Sequence, residues 1–277
     1  MKIVKFETWW VKRNKCLFDE KRKGKSSMDW DVVVLKLTTD NGYQGIATAL
    51  AARSGRVTES YLHDNIAPVV LGASPYDREK IWHELWNIDR HLTFFPVYLP
   101  GPVDVALWDI CAKAAGLPLY QYIGAYRRSL PVYASGLFHE DPQEYVREAL
   151  YYKSRGINCY KAHPSGPWEL DMEIHENIRK AVGPDMKLMS DPVAEYTLEE
   201  AVRVGRHLEK LGYEWLEEPF RDFELNKYTQ LCAALDIPLP PRRLPGDVTG
   251  GWRRSSTRRR RILSGPMCHG NAGLREL

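Results

Sequence analysis

The sequence predicts a small α+β unit followed by repeated β–α units on a parallel sheet. Three observations carry this. Over roughly the first 125 residues, strand-like segments precede helix-like ones, the segregated order of an α+β unit. From Leu130 strands and helices alternate with a period of roughly 25–30 residues, the mark of a parallel sheet. Three successive strands of that repeat also end in charged residues at the same place.

Met1–Trp10 and Trp30–Thr38 are rich in β-branched and aromatic residues and read as strands. Asp40-Asn41-Gly42 signals a turn, and Tyr43–Leu50 returns as a third strand. Between the first two lies Lys12–Ser27, with Lys21, Arg22, Lys23 and Lys25. It reads as a solvated loop or as a lid turning cationic groups toward an anionic ligand. Ser74-Pro75 opens a helix with Ile81, Leu85 and Ile88 at helical spacing and Trp82 and Trp86 beside them. Pro102–Ala115 forms a second helix, stopped by Gly116.

The repeat then runs in order. Leu130–Ser135 is a strand, and Asp141-Pro142 caps a helix to Arg155 that Gly156 ends. Cys159–His163 is a strand and Trp168–Val182 a helix. After the Gly183-Pro184-Asp185 break, Lys187–Asp191 is the third strand. Thr197 with Glu200 makes a capping box for a helix whose inward stripe is Leu198, Ala201, Val202, Gly205, Leu208 and Leu211. Gly212 ends it; Tyr213–Glu217 is a strand, Phe223–Leu235 a helix, and Ile237–Leu239 begins another strand. A doubly wound sheet and a (β/α)8 barrel both fit this alternation.

Composition bounds the function. With 277 residues, 44% hydrophobic and 27% charged, the chain has the length of about two domains and the make-up of a soluble globular protein. No apolar run of about 18 residues exists, so no membrane span is expected. The start lacks an apolar signal core, and five scattered cysteines (16, 111, 159, 232 and 268) contain no C-x-x-C pair. They read as reduced thiols of a cytoplasmic protein. Charge is uneven: Pro240–Leu277 carries nine Arg against Asp247 and Glu276, a net +7, which leaves −4 on the first 239 residues.

The chemistry concentrates at strand ends. They read Tyr160-Lys161-Ala162-His163, Met189-Ser190-Asp191 and Trp215-Leu216-Glu217-Glu218-Pro219. Lys161 and Asp191 are 30 residues apart and Asp191 and Glu217 are 26 apart, so they share one place in the repeat. In a barrel such strand ends converge on one mouth, where active sites are built. Two carboxylates there repel unless a cation lies between them, and Mg2+, which favours oxygen ligands, suits that geometry. Lys161 and His163 are two apart on a strand and so share a face. A single charged strand end is ordinarily a surface ion pair; three in phase form a pattern. Glu218, next to Glu217, faces the other way and reads as a structural partner.

With these residues in place, the chain resembles the mandelate racemase/muconate lactonizing group of the enolase superfamily. The resemblance is carried by Gly42-Tyr43-Gln44-Gly45, by Ala106-Leu107-Trp108-Asp109-Ile110 through Gly116-Leu117-Pro118-Leu119-Tyr120, and by the three strand ends. It implies an α+β capping domain over residues 1–125 and a (β/α)8 TIM-type barrel from residue 126, here incomplete at 126–239 with about four to five βα units. It further implies Mg2+, a small carboxylate substrate such as a sugar acid, removal of the proton α to its carboxylate through an enediolate, and homo-oligomers. By that resemblance Asp191 and Glu217 are metal ligands. His163 stands where a Lys-x-Lys pattern has its second Lys, making it the base or acid, a task its ordinary pKa of about 6.5 suits. Lys161 would pair with the substrate carboxylate or the enediolate. Val193 replaces an Asn usual in the family.

The pattern breaks after Leu239. One repeat beyond Glu217 falls near position 243, where Pro240-Pro241-Arg242-Arg243 stands and no acid lies between Asp236 and Asp247. Arginines there would repel a dication, and paired prolines cannot continue a central strand. The expectation is a reading-frame lesion and early termination, with 240–277 an aberrant Arg-rich tail. A third metal ligand is then missing and the chain is expected to be inactive. The competing readings are a catalytically dead fragment and, from another class, a nucleic-acid-binding protein acting through the nine arginines. No aromatic residue interleaves the arginine run, which counts against base stacking.

Overall fold

The computed structural model describes residues 1–12, 31–51, 54–92, 99–164, 166–221 and 224–240. The lysine-rich loop and the arginine-rich tail lie outside the described residues, as does position 243. The chain divides between Arg128 and Ser129 into two compact units.

The first unit is an antiparallel sheet in the order β1-β2-β3, formed by β1 (Ile3–Val11), β2 (Val32–Thr39) and β3 (Gln44–Leu50). Every second residue of β2 faces inward, and Val33, Leu35 and Leu37 are fully buried. Full burial of such side chains contributes about 1.5–3 kcal/mol each. The helices are α1 (Gly55–Tyr61), continuing through a π-turn at Leu62–Ile66 into α2 (Ala67–Val70), then α3 (Arg78–Leu92), α4 (Pro100–Ala114) and α5 (Leu119–Tyr122). Leu62, Ile66, Ile81, Leu85, Val103, Leu107 and Ile110 complete the core against the sheet.

The glycine-bearing motif of β3 has a steric cause. A Cβ on Gly45 would lie 2.0 Å from the carbonyl oxygen of Ala106, so only glycine lets α4 rest on β3. Gly42, at φ +88°, makes the preceding turn. Asp109 on α4 accepts from the Ile46 amide at 3.0 Å and from Lys113 Nζ at 2.7 Å, and Lys113 also reaches the Gln44 carbonyl at 2.8 Å. These bonds lock helix to strand.

The second unit holds a parallel sheet in the order β4-β5-β6-β7: β4 (Ala134–Ser135), β5 (Cys159–Ala162), β6 (Lys187–Ser190) and β7 (Trp215–Leu216). α6 (Pro142–Ser154), α7 (Trp168–Val182) and α8 (Leu198–Lys210) connect them, and α9 (Leu225–Ala234) follows β7. The core joins Tyr160, Ala162, Leu188 and Leu216 of the sheet to Ile174, Ile178, Val204 and Leu208 of the helices. Asp141 caps α6 by accepting from the Gln143 amide. At α8 both arms of the Thr197/Glu200 capping box are present. Beyond α9, Leu216 N donates to Pro238 O at 3.0 Å and Glu218 N to Pro240 O at 3.3 Å, so the chain runs alongside β7.

Several sequence-derived boundaries move. The helix expected at Ser74-Pro75 begins at Arg78, because Ser74 Oγ accepts from Tyr76 N in a tight turn instead of capping. β4 and β7 are each two residues long, shorter than their apolar runs suggested, because a strand extends only as far as its neighbours pair with it. α4 starts at Pro100, and α9 at Leu225. No described helix is long and apolar enough to cross a membrane.

Candidate functional site

Parallel pairing sets the rim. Lys161 pairs with Met189 and Met189 with Trp215, while Ala162 pairs with Ser190 and Ser190 with Leu216. One step further, Asp191 N donates to Ala162 O at 2.9 Å and Glu217 N to Ser190 O at 2.7 Å. That register puts the ends of β5, β6 and β7 level, and their side chains meet.

Lys161 Nζ lies 3.0 Å from Asp191 Oδ2 and 2.8 Å from Glu217 Oε2. His163 Nε2 is 3.3 Å from the same Asp191 oxygen. Thus Lys161, His163, Asp191 and Glu217, all expected from the sequence to share one mouth, are in contact. Lys161, Asp191 and Glu217 are buried, Lys161 being 4% exposed, and His163 is partly buried. Burial alone would lower the Lys161 pKa, but the Asp191 and Glu217 charges outweigh it and hold the ammonium above its ordinary range. Asp191 shows the converse. Burial opposes its ionisation, and the His163 hydrogen bond with the Lys161 charge keeps its carboxyl below the usual range.

The surrounding residues fix these groups. Val193 N donates to Asp191 Oδ1 at 3.2 Å, so the backbone supplies a contact where the resemblance would have an asparagine. Val193 and Ala194 adopt φ +56° and +62° to do so, a conformation costing of order 1–3 kcal/mol for such residues. Glu218 adopts φ +45°, and its carbonyl accepts from Ala194 N at 2.7 Å.

Sequence reasoning missed three aromatic residues. Trp215 Nε1 donates to Glu217 Oε2 at 3.2 Å. Tyr133 packs edge-on to Trp215, and its ring lies 5.8 Å from Lys161 Nζ. Phe138 sits 5.5 Å from the His163 ring. Trp215 carried a signal, because it stands two residues before Glu217 and so shares its face. Tyr133 and Phe138 carried none, since their place depends on where β4 ends.

Among the described residues no three His, Cys, Asp or Glu side chains cluster as a metal site. The donor chemistry nevertheless fits a hard cation. Two carboxylate oxygens already converge on one positive charge, the Lys161 ammonium. Mg2+ is held by one or two carboxylates and keeps several waters, so Asp191 and Glu217 are the described residues that could hold it.

Comparison with known proteins gives a consistent placement. The mandelate racemase/muconate lactonizing enzyme N-terminal domain matches residues 24–124, and an enolase C-terminal domain-like model matches 144–240. The L-talarate/galactarate dehydratase of Salmonella typhimurium is 31% identical over 216 residues, 75% of this chain and 54% of that protein. The chain therefore spans about half the length of that relative. Among solved structures, the 3,6-anhydro-D-galactonate cycloisomerase of Zobellia galactanivorans is similar at TM-score 0.76 and 30% identity, over 87% of this chain and 65% of that one. A D-glucarate dehydratase from Agrobacterium tumefaciens, complexed with magnesium, is similar at TM-score 0.74 and 27% identity, over 86% and 66%. The match of both domain models, joined to a strand-end rim on a parallel sheet, shows that the chain belongs to the mandelate racemase/muconate lactonizing group of the enolase superfamily.

Proposed function

We propose that the rim of the second unit serves Mg2+-dependent removal of the proton α to the carboxylate of a sugar acid, followed by dehydration or racemisation. The observation that supports this reading is the convergence of Asp191 and Glu217 on one cation, with His163 alongside. Asp191 and Glu217 would hold the metal. When bound, Mg2+ supplies positive charge that favours negative charge developing on the substrate carboxylate. His163 exchanges the α-proton: its Nε2 contact with Asp191 orients the ring, and Nδ1, which has no hydrogen-bond partner among the described residues, is the nitrogen left to carry the proton. Lys161 offers an ammonium donor to the substrate carboxylate, where its charge stabilises the enediolate. Burial of the cluster raises the weight of each of these charges relative to water.

We infer further that this chain, as its sequence stands, binds Mg2+ weakly and does not turn over substrate. The third carboxylate that the repeat would supply near position 243 is replaced by Arg242 and Arg243. The kinship with talarate/galactarate and glucarate dehydratases favours a hexaric acid as the substrate of a complete site.

Calorimetric titration with MgCl2 tests the assignment. The expected result is binding at about millimolar Kd or weaker, abolished by Asp191→Asn and by Glu217→Gln. Solvent-deuterium exchange at the α-carbon of galactarate, followed by proton NMR, is expected to be undetectable. Unchanged heats in both variants would overturn the metal assignment. Micromolar binding or measurable exchange would overturn the inference of inactivity.

A further inference from the structure

We propose that Tyr145, Asp171 and Tyr196 are positioning residues that lace together the loops leaving β4, β5 and β6, and so hold His163 and Asp191 in place; the proposal rests on the reading of the rim given above. The ladder fixes the loops at the strand ends only as far as Asp191 N and Glu217 N, where it stops. Beyond that point Tyr145 and Asp171 from the helices, and Tyr196 from the loop after β6, supply the ties.

Tyr145, on the first turns of α6, is 1% exposed. Its hydroxyl donates to the His163 carbonyl at 3.1 Å and accepts from the His139 amide at 3.1 Å. It therefore ties the loop after β4, which carries Phe138 against the His163 ring, to the end of β5. Asp171, on α7, is fully buried. Its Oδ1 accepts from the Gly166 amide at 3.1 Å, three residues past His163, and its Oδ2 accepts from the Tyr196 hydroxyl at 2.7 Å, five residues past Asp191. One carboxylate thus joins the loop after β5 to the loop after β6. The Tyr196 amide continues the chain of ties, donating to Pro219 O at 3.2 Å beyond β7.

The chemistry of the three groups agrees with this role. Phenylalanine would fill the apolar volume at 145 and 196, so the hydroxyls are what the bonds require. Burial, reinforced by the Asp171 charge, raises the pKa of both phenols, that of Tyr145 to about 12, so both stay protonated and donate. Their bonds run to the loop backbones and to each other, which places their action one step behind the rim.

Amide hydrogen exchange on the full chain without added metal tests the proposal, together with the imidazole NMR signals of His163. Tyr196→Phe is expected to speed exchange across 191–197 about tenfold, the loss of one hydrogen bond, and to leave the α8 amides unchanged. Asp171→Asn, which keeps an acceptor for the Gly166 amide, is expected to preserve slow exchange there, whereas Asp171→Leu releases it. Tyr145→Phe is expected to speed the His139 amide, to move the His163 ring signals and to leave 191–197 unaltered. Should Tyr196→Phe fail to fold, Tyr145→Phe decides, because it unties a different pair of loops. A uniform rise across the whole unit, unaltered amides, or unmoved His163 signals would overturn the positioning role. Because these readouts involve no metal, their failure is separate from failure of the Mg2+ titration.

Discussion

The end of β6 buries two neighbouring polar groups by opposite means. β6 ends at Ser190, Asp191 follows it, and the two point to opposite sides. Asp191 meets an ammonium and an imidazole, and Glu217 joins it on the same ammonium. Ser190 Oγ meets His175 Nε2 at 2.8 Å, on the helix side, with no formal charge needed. His175 is fully buried, and burial with the nearby His207 charge pushes its pKa down to about 3, so it stays neutral. The rim stores charge that can be exchanged for another ligand; the Ser190–His175 pair is neutral and gains nothing by changing partner.

Removing the cation should break this contrast most strongly. Lys161→Met leaves two buried carboxylates facing each other, and such an uncompensated charge costs of order 3–5 kcal/mol. Urea denaturation at pH 7 is expected to show that loss, with partial recovery on adding Mg2+. Recovery by NaCl to the same extent would mean that general screening, not a metal site, is at work.

Acid separates the faces by where stability is lost. The folded pKa of His175 lies below its unfolded value of about 6.5, so the unfolded chain gains a proton first as pH falls. Stability should therefore decline from about pH 6.5 toward pH 3, by at most about 1.4 kcal/mol per unit. Asp191 acts in a lower window: its contribution is complete above its unfolded pKa of 3.8 and is lost as pH falls through the depressed folded value. His175→Asn should remove the slope between pH 6.5 and 4 while leaving the acid limb below it. A slope that survives in that variant would show that another group titrates there.

The smallest expected effect is a control outside both faces. Thr197→Ala removes one arm of the α8 capping box and should cost about 1 kcal/mol, read as a lowered urea midpoint with no change in pH profile. A changed pH profile would mean that the α8 start is coupled to one of the faces.

How much was legible in the residues follows the same division. The rim was readable because a repeat places Lys161, Asp191 and Glu217 in phase, and phase in a parallel sheet becomes proximity. The capping box, and the glycine ends of α7 and α8, were readable because they are local. The helix running from Gly55 to Val70 went unread, although Leu62, Ile66 and Val70 recur at four-residue spacing. Pro68 and a π-turn obscured it. Asp171 and Tyr196 were silent for a different reason: they are 25 residues apart, belong to no repeat, and meet only because α7 folds back behind β6.

The lysine between the two carboxylates has one more consequence. A pocket that carries its own counterion can be made, stored and refolded empty without its acidic walls springing apart. Any incoming ion has to outcompete an ammonium tethered at far higher effective concentration than free solutes reach. Selectivity in such a pocket is a contest against a built-in rival, and doubly charged ions enter it with the advantage.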